Sequence, residues 1–212
     1  MSYGLPWANA SNTPFRLFKS FVHEGGIATP LVVHWPAAVR SMEQWNNNNE
    51  TYSDHNHGRI CHSPWMMIDM VATCCDLAGV DIDPDSLEGE SFSPLIHGRI
   101  DTTRMNPIFW EHQGNCAMRS GPWKLVYRRN ECEEHCDYPS DNKGIGDLKC
   151  WELYNMEDDR TETHNLAMNH RQRVESMAEH WLEWAVHVGV KPWPLKPLPE
   201  GDRDWSNLPW LW

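Results

Sequence analysis

The stretch Asn12-Thr-Pro-Phe-Arg-Leu-Phe-Lys-Ser-Phe-Val-His-Glu-Gly-Gly-Ile-Ala-Thr-Pro30 is the most informative part of this 212-residue sequence. Two cations, Arg16 and Lys19, lie three residues apart and precede the pair Gly25-Gly26. A glycine pair lets the main chain approach a ligand closely, and a lysine ammonium is a compact charge with three donors that suits a tetrahedral oxyanion. The stretch therefore predicts an anion site, although a surface Arg and Lys beside a glycine turn would explain the same residues.

Downstream of this stretch, the pattern predicts first a strand and then a helix. Residues 27–35 contain the continuous apolar run Leu31-Val32-Val33, which is typical of a strand buried on both faces. Ser63-Pro64 then opens a predicted helix that ends at Gly79. Its apolar positions follow helical spacing and include Met67, Met70, Val71, Cys74 and Leu77. Residues 1–105 are therefore interpreted as an α/β part.

From Pro107 onward the apolar period shortens, which indicates a small antiparallel sheet. Short strands are predicted at residues 108–110, 116–118, 123–127 and 151–154. A last helix is predicted over 169–188, ended by Gly189, with one apolar stripe that includes Val174, Met177, Trp181, Trp184 and Val188. Residues 106–190 are assigned to a sheet-and-helix subdomain, and residues 191–212 to a tail rich in proline and tryptophan.

Composition argues against two classes of partner. Eighteen basic against thirty acidic residues give a formal charge of −12, which disfavours nucleic-acid binding. A mean hydropathy of −0.65 and the absence of a long apolar run predict no membrane span. The first seven residues also lack the basic and apolar regions of a secretory signal.

Several motifs in a consistent order resemble the formylglycine-dependent sulfatases, over about residues 1–190. Pro14-x-Arg16-x-x-Lys19-x-x-x-x-Glu24-Gly25-Gly26 is similar to the second signature region of that family. Further segments resemble the arylsulfatase branch: Leu87-Glu-Gly89-Glu-Ser-Phe-Ser-Pro94, Trp110-Glu-His112-Gln-Gly-Asn115, Arg119-x-Gly-x-Trp123-Lys124-Leu and Glu152-Leu-Tyr154…Asp158-Asp-Arg160-Thr-Glu162.

The resemblance implies an alkaline-phosphatase-like α/β fold and roles for particular residues. Lys19 would contact the sulfate ester oxygens and help to neutralise the transferring group. Arg16 would be structural and pair with a carboxylate near the site, and Glu24-Gly25-Gly26 would shape the turn into a central strand. His112 would lie at the mouth of the pocket, or alternatively be bonded structurally within the sheet. The intact family member uses a formylglycine hydrate that attacks sulfur, and a calcium ion.

No cysteine of the sequence fits the C-x-P-x-R context of the family's nucleophile. The two nearest candidates, Cys61-His-Ser-Pro-Trp65 and Cys116-Ala-Met-Arg-Ser120, both depart from the motif. The aspartates that bind calcium would lie upstream of Met1. The chain is therefore interpreted as the C-terminal portion of a sulfatase, inactive without its missing N-terminal catalytic portion. The intact enzyme would act on an aryl or carbohydrate sulfate and be periplasmic or extracellular.

Two other functions remain open from the sequence. A phosphonate or phosphodiester hydrolase of the same superfamily would share the fold and an anion-binding lysine. A non-catalytic module that binds sulfated glycans would need neither nucleophile nor metal.

Cysteines around the acidic segment 130–149 allow two arrangements. Cys132, His135, Cys136 and Cys150 together would suit a zinc ion. The resemblance to exported enzymes favours instead a disulfide from Cys150 to Cys132 or Cys136, which would close this loop.

Overall fold

The structure is a computed structural model that describes residues 4–35, 60–83, 86–97, 99, 102–128, 139 and 144–191. The chain divides into two compact units, one of residues 1–28 and 109–212 and the other of residues 29–108. The division predicted from the sequence placed residues 1–28 with the α/β part, whereas in the structure they pack with the sheet. The reason is that Val22 and Ile27 share an apolar cluster with three sheet side chains, Ala117, Val126 and Tyr154.

The first unit is built on a four-stranded sheet in the order β1-β2-β3-β4. Its strands are β1 (Ile108–His112), β2 (Asn115–Ser120), β3 (Trp123–Tyr127) and β4 (Trp151–Asn155), and its helices are α1 (Leu5–Asn12), α2 (Glu24–Ile27) and the C-terminal helix (Arg171–Val188). Short 3₁₀ turns occupy Leu148–Cys150 and Ala167–Asn169. Strands β2, β3 and β4 pair antiparallel. The predicted antiparallel sheet and C-terminal helix are thus confirmed.

Alternation along the strands gives this sheet two different faces. One face packs against the C-terminal helix through an apolar cluster whose sheet members are Cys116, Met118, Leu125, Tyr127, Trp151 and Leu153. The helix contributes its predicted stripe to this cluster, with Val174, Met177 and Trp181 buried, while Val188 is exposed. The other face carries the polar side chains described below. Because the N-terminal segment covers this second face, the motif residues are brought onto the sheet.

In the second unit, α3 (Asp69–Leu77) and α4 (Ser93–Ile96) are held together by polar contacts. The Asp69 carboxylate accepts hydrogen bonds from the backbone N–H groups of Met66 (2.6 Å) and Glu90 (2.8 Å). Arg104 pairs with the same carboxylate, with Nε 3.1 Å from Oδ2. The Thr73 hydroxyl accepts a hydrogen bond from the N–H of Phe92 at 3.0 Å. The buried face of α3 is therefore polar.

The predicted apolar stripe of α3 is wrong as a statement about burial in this chain. The helix itself is present, but Asp69 and Thr73 are its buried residues, and Val71 is 54% exposed. The segment predicted to open the helix at Ser63-Pro64 is irregular, and the helix begins at Asp69, whose carboxylate accepts the N–H of Met66 in the preceding turn. None of the described helices is both long and apolar enough to cross a bilayer.

The predicted strand over residues 27–35 is also wrong in this structure. Ile27 ends α2, and residues 28–35 have no regular secondary structure. A strand is stabilised by hydrogen bonds to a neighbouring strand, and no described strand pairs with this segment. Leu31, Val32 and Val33 are accordingly 56%, 87% and 50% exposed.

Candidate functional site

Lys19 lies at the tip of a tight turn between α1 and α2. The N–H of Phe21 donates to the carbonyl of Phe18 at 3.1 Å, which closes the turn around Lys19 and Ser20. The side chain of Lys19 is exposed, and it forms no ion pair with any residue that the structure describes.

The glycine pair allows α2 to lie directly against this turn. A Cβ atom on Gly25 would stand 2.3 Å from the carbonyl oxygens of Arg16 and Leu17, and one on Gly26 would stand 2.1 Å from that of Phe21. Both contacts are with backbone, which has no side-chain freedom to move aside. Any other residue would push α2 away from the Lys19 turn, so the glycines are needed here for close packing.

Glu24 begins α2 and is held by a buried lysine of the sheet. Lys124 of β3 is fully buried, and its Nζ lies 2.8 Å from Glu24 Oε1 and 2.8 Å from Glu162 Oε1. The second oxygen of Glu162 accepts the backbone N–H of Glu24 at 2.7 Å. One ammonium and two carboxylates thus join the N-terminal segment, β3 and the loop after β4.

Arg16 and His23 attach the same segment to β4. Arg16 donates to the Tyr154 hydroxyl at 3.2 Å and to the Glu162 carbonyl at 2.8 Å. The hydrogen bonds of Arg16 thus go to a phenol and a backbone carbonyl, while its charge helps to lower the pKa of the nearby Glu152 carboxyl. His23 is buried, with Nε2 2.9 Å from the Glu152 carboxylate, and the Tyr154 hydroxyl donates to that carboxylate at 2.7 Å.

These contacts shift three pKa values. Burial alone would raise the pKa of the Glu24 carboxyl, but the charge and hydrogen bond of Lys124 outweigh it, so the pKa lies below its ordinary value. Burial opposes the charged form of Glu152 in the same way, and the hydrogen bonds of His23 and Tyr154 lower its pKa overall. Burial, followed by the neighbouring Glu152 charge, raises the pKa of Tyr154. Both carboxyls therefore stay ionised at neutral pH, and Tyr154 stays a hydrogen-bond donor.

The structure places the hairpin that carries His112 beside the Lys19 turn. His112 ends β1 and is exposed, and the two-residue turn Gln113-Gly114 has positive φ at both positions (53° and 82°), as type I′ hairpins require. The side-chain amide of Asn115 donates to the carbonyl of Ser20 at 2.9 Å. The two segments that the motifs singled out thus meet, and no described contact engages the His112 ring.

Sequence reasoning gave no role in the site to Lys124, Glu162, His23 or Glu152, although all four lie within the quoted stretches. Lys124 gave one local signal, since a lysine interrupts the apolar run of Trp123–Tyr127. The pairing itself joins residues 100 positions apart and depends on the fold.

Some of the residues in the metal and cysteine predictions are described by the structure, and others are not. The described residues hold no group of three or more His, Cys, Asp or Glu suited to a metal ion. Cys150 is buried and disulfide-bonded, which is incompatible with its serving as a zinc ligand. Cys132, His135 and Cys136 lie outside the described residues, so the predicted pairing of Cys150 with Cys132 or Cys136 stays a prediction.

Comparison with known proteins bears out the sulfatase resemblance. An uncharacterized sulfatase of Schizosaccharomyces pombe is 26% identical over 197 residues, which cover 89% of this chain and 30% of that protein. A sulfatase of Formosa agariphila is 25% identical over 194 residues, covering 88% of this chain and 30% of its own length. No family model matches the chain. Over most of its length this chain is similar to sulfatases, and it spans about a third of the length of these relatives.

One solved structure, that of Ps i-CgsB, is 18% identical and superposes with a TM-score of 0.42 over 58% of this chain and 24% of that one. The comparison with sulfatases supports the interpretation of the chain as a C-terminal portion of such an enzyme.

Proposed function

We propose that this chain is the C-terminal portion of a sulfatase with an alkaline-phosphatase-like fold, and that its Lys19 contacts the sulfate group of the ester. The observation that carries the proposal is the exposed Lys19 ammonium, which has no ion pair among the described residues, at the tip of a turn within a sulfatase-like motif. The similarity to proteins named sulfatases favours sulfate over phosphonate or phosphodiester substrates, and an enzyme over a glycan-binding module.

The part of the reaction assigned to this chain is electrostatic. As the sulfur–oxygen ester bond breaks, negative charge grows on the departing oxygen and on the sulfate oxygens. A fixed ammonium near these oxygens lowers the barrier without changing its own protonation. The nucleophile and the calcium ligands belong to the rest of the protein in this proposal, so the chain alone is expected to be inactive.

The neighbouring charges explain why Lys19 is available for an anion. Each nearby buried carboxylate already has a partner, Glu24 with Lys124 and Glu152 with His23. Neither carboxylate is left to neutralise the Lys19 ammonium. Among the described residues, the Lys19 ammonium therefore remains available to an external anion.

An oxidising compartment fits the cysteine chemistry. Disulfides persist in the periplasm and outside the cell and are rare in reducing cytosol. The disulfide at Cys150 supports the proposal that the intact enzyme is periplasmic or extracellular. The proposed substrate is an aryl or carbohydrate sulfate ester.

Substitution of Lys19 in the complete enzyme tests the proposal. With 4-nitrophenyl sulfate as probe, Lys19→Ala is expected to lower kcat about 10²- to 10³-fold, the usual loss for one charge-stabilising donor. Lys19→Arg should recover only part of this, because a planar guanidinium does not replace a point charge without moving the ester. Lys149→Ala is the matched control, since Lys149 is an exposed lysine that pairs with Asp147.

Turnover by Lys19→Ala within about twofold of the parent would show that the lysine belongs to the scaffold. The fragment interpretation has its own test in the DNA upstream of Met1, where a C-x-P-x-R coding stretch is expected. Sulfatase activity of the 212-residue chain alone would overturn that interpretation.

A further inference from the structure

We propose that Asn115 is a positioning residue that holds the turn carrying Lys19 against the β1–β2 hairpin. The inference rests on the proposed function, because it concerns how the protein presents the ammonium that contacts sulfate. None of the motif roles described above involves the side chain of Asn115.

Asn115 bridges two backbone segments with one side-chain amide. It is the first residue of β2 and is 5% exposed. Its Nδ2 donates to the carbonyl of Ser20 at 2.9 Å and to that of His112 at 3.3 Å. A carboxamide nitrogen carries two hydrogens, so one side chain satisfies both carbonyls. The residue directly after Lys19 is thereby tied to the last residue of β1.

The Lys19 turn needs such an external bond because its backbone is strained. Leu17 and Ser20 have φ values of 66° and 86°, a region that is unfavourable for residues other than glycine. Backbone of this kind persists only where the surroundings fix it. On the α2 side the close packing of Gly25 and Gly26 fixes the turn. On the hairpin side, Asn115 supplies the hydrogen bond to Ser20.

The hydrogen bond from Asn115 affects the chemistry through the position of Lys19. If the bond to Ser20 is lost, the turn relaxes and the Cα of Lys19 moves, while the fold of the sheet stays intact. A displacement of about 1 Å in a group that stabilises a transition state costs up to about 10²-fold in rate. Asn115 would therefore act on catalysis only through Lys19.

The experiment is a double-mutant cycle in the complete enzyme. Asn115→Asp keeps the size of the side chain, removes the N–H donor and faces the Ser20 carbonyl with negative oxygen. We expect a roughly ten- to hundredfold loss of kcat/KM for 4-nitrophenyl sulfate and a similar weakening of inorganic sulfate binding. In the Lys19→Ala background the same substitution should change sulfate binding and residual turnover by less than about twofold.

Asn165→Asp is the matched control, because it makes the same chemical change in the same unit. Asn165 uses its Oδ1 to accept the N–H groups of Leu153 and Ala167, and an aspartate retains those bonds. Its kinetics should equal those of the parent. Equal losses from Asn115→Asp with and without Lys19, or no loss at all, would overturn the positioning role and leave the proposed function standing. An active Lys19→Ala enzyme would instead overturn the proposed function.

Discussion

Lys124 shows how one side chain determines where a distant motif lies. A lysine in the middle of a buried strand is costly unless its charge is paired, and here two carboxylates lie 2.8 Å from its ammonium. Those carboxylates come from α2 and from the loop after β4. The sheet therefore cannot keep this lysine buried without also holding the segment that carries Lys19.

Replacement of Lys124 by methionine tests this dependence. Lys124→Met leaves the carboxylates of Glu24 and Glu162 buried without their cation, a situation that typically costs about 3–5 kcal/mol. We expect a corresponding fall in the free energy of unfolding of the complete enzyme, measured by urea denaturation with tryptophan fluorescence. Lys149→Met is the control, because its ion pair is exposed and worth at most about 1 kcal/mol. Equal effects of the two substitutions would contradict the bridging role.

The lowered pKa values of Glu24 and Glu152 set the acid limit of stability. A carboxyl whose pKa is lower in the folded state stabilises the fold above its unfolded pKa, here near the ordinary 4.5, and this stabilisation is lost as the pH falls through the folded value. Unfolding free energy should therefore decline below about pH 4.5. Glu24→Gln should lower stability at neutral pH and weaken the acid-dependent decline. A decline as steep as that of the parent would refute the assignment to Glu24.

At the scale of elements, the short helix α2 can pack closely against the Lys19 turn because Gly25 and Gly26 have no side chains. Gly25→Ala should destabilise the protein more than Gly79→Ala does. At Gly25 a new Cβ would stand 2.3 Å from two backbone oxygens, whereas at Gly79 it would meet no atom within 4 Å and incur only the strain of φ 65°. That strain is about 1–2 kcal/mol. Melting temperatures of the two variants compare the costs directly, and the reverse order would remove the packing argument.

The elements that could be predicted from the sequence are those whose apolar face is covered by other residues of this chain. The strands predicted at 116–118 and 123–127 and the C-terminal helix each follow the period of the surface that they bury, and that surface is present. The apolar run at Leu31–Val33 and the stripe of α3 follow the same rules, but nothing described covers them. Periodicity reports which face is to be buried and does not supply the partner, so both predictions differed from the structure.

The candidate site likewise has a part that could be predicted from the sequence and a part that could not. Arg16, Lys19 and the glycine pair could be identified because they are close in sequence and their chemistry is local. Lys124, Glu162 and Asn115 lie within the quoted motifs, but their roles could not be predicted, because those roles arise only when β2, β3 and the loop after β4 are brought to the N-terminal segment. Partners that lie about 100 residues apart form no local spacing pattern in the sequence.

At the scale of the whole molecule, the second unit exposes several apolar side chains. Leu31, Val32 and Val33 are at least half exposed, and Val71 and Val80 are 54% and 55% exposed. A contiguous run of exposed apolar side chains such as Leu31–Val33 is a candidate interaction site. Together with the 30% coverage of the relatives, it supports the proposal that the upstream portion of the same protein packs here.

The complete enzyme offers a direct test of that packing through a matched pair of valines. Val32→Asp should place a carboxylate in an apolar interface and lower the free energy of unfolding by more than about 2 kcal/mol, because an unpaired buried charge is costly. Val186→Asp changes the same residue type at a 57% exposed position on the C-terminal helix and should cost less than about 1 kcal/mol. If the two variants unfold at the same urea concentration, Val32 stays in water in the complete enzyme, and the upstream portion does not pack on this surface.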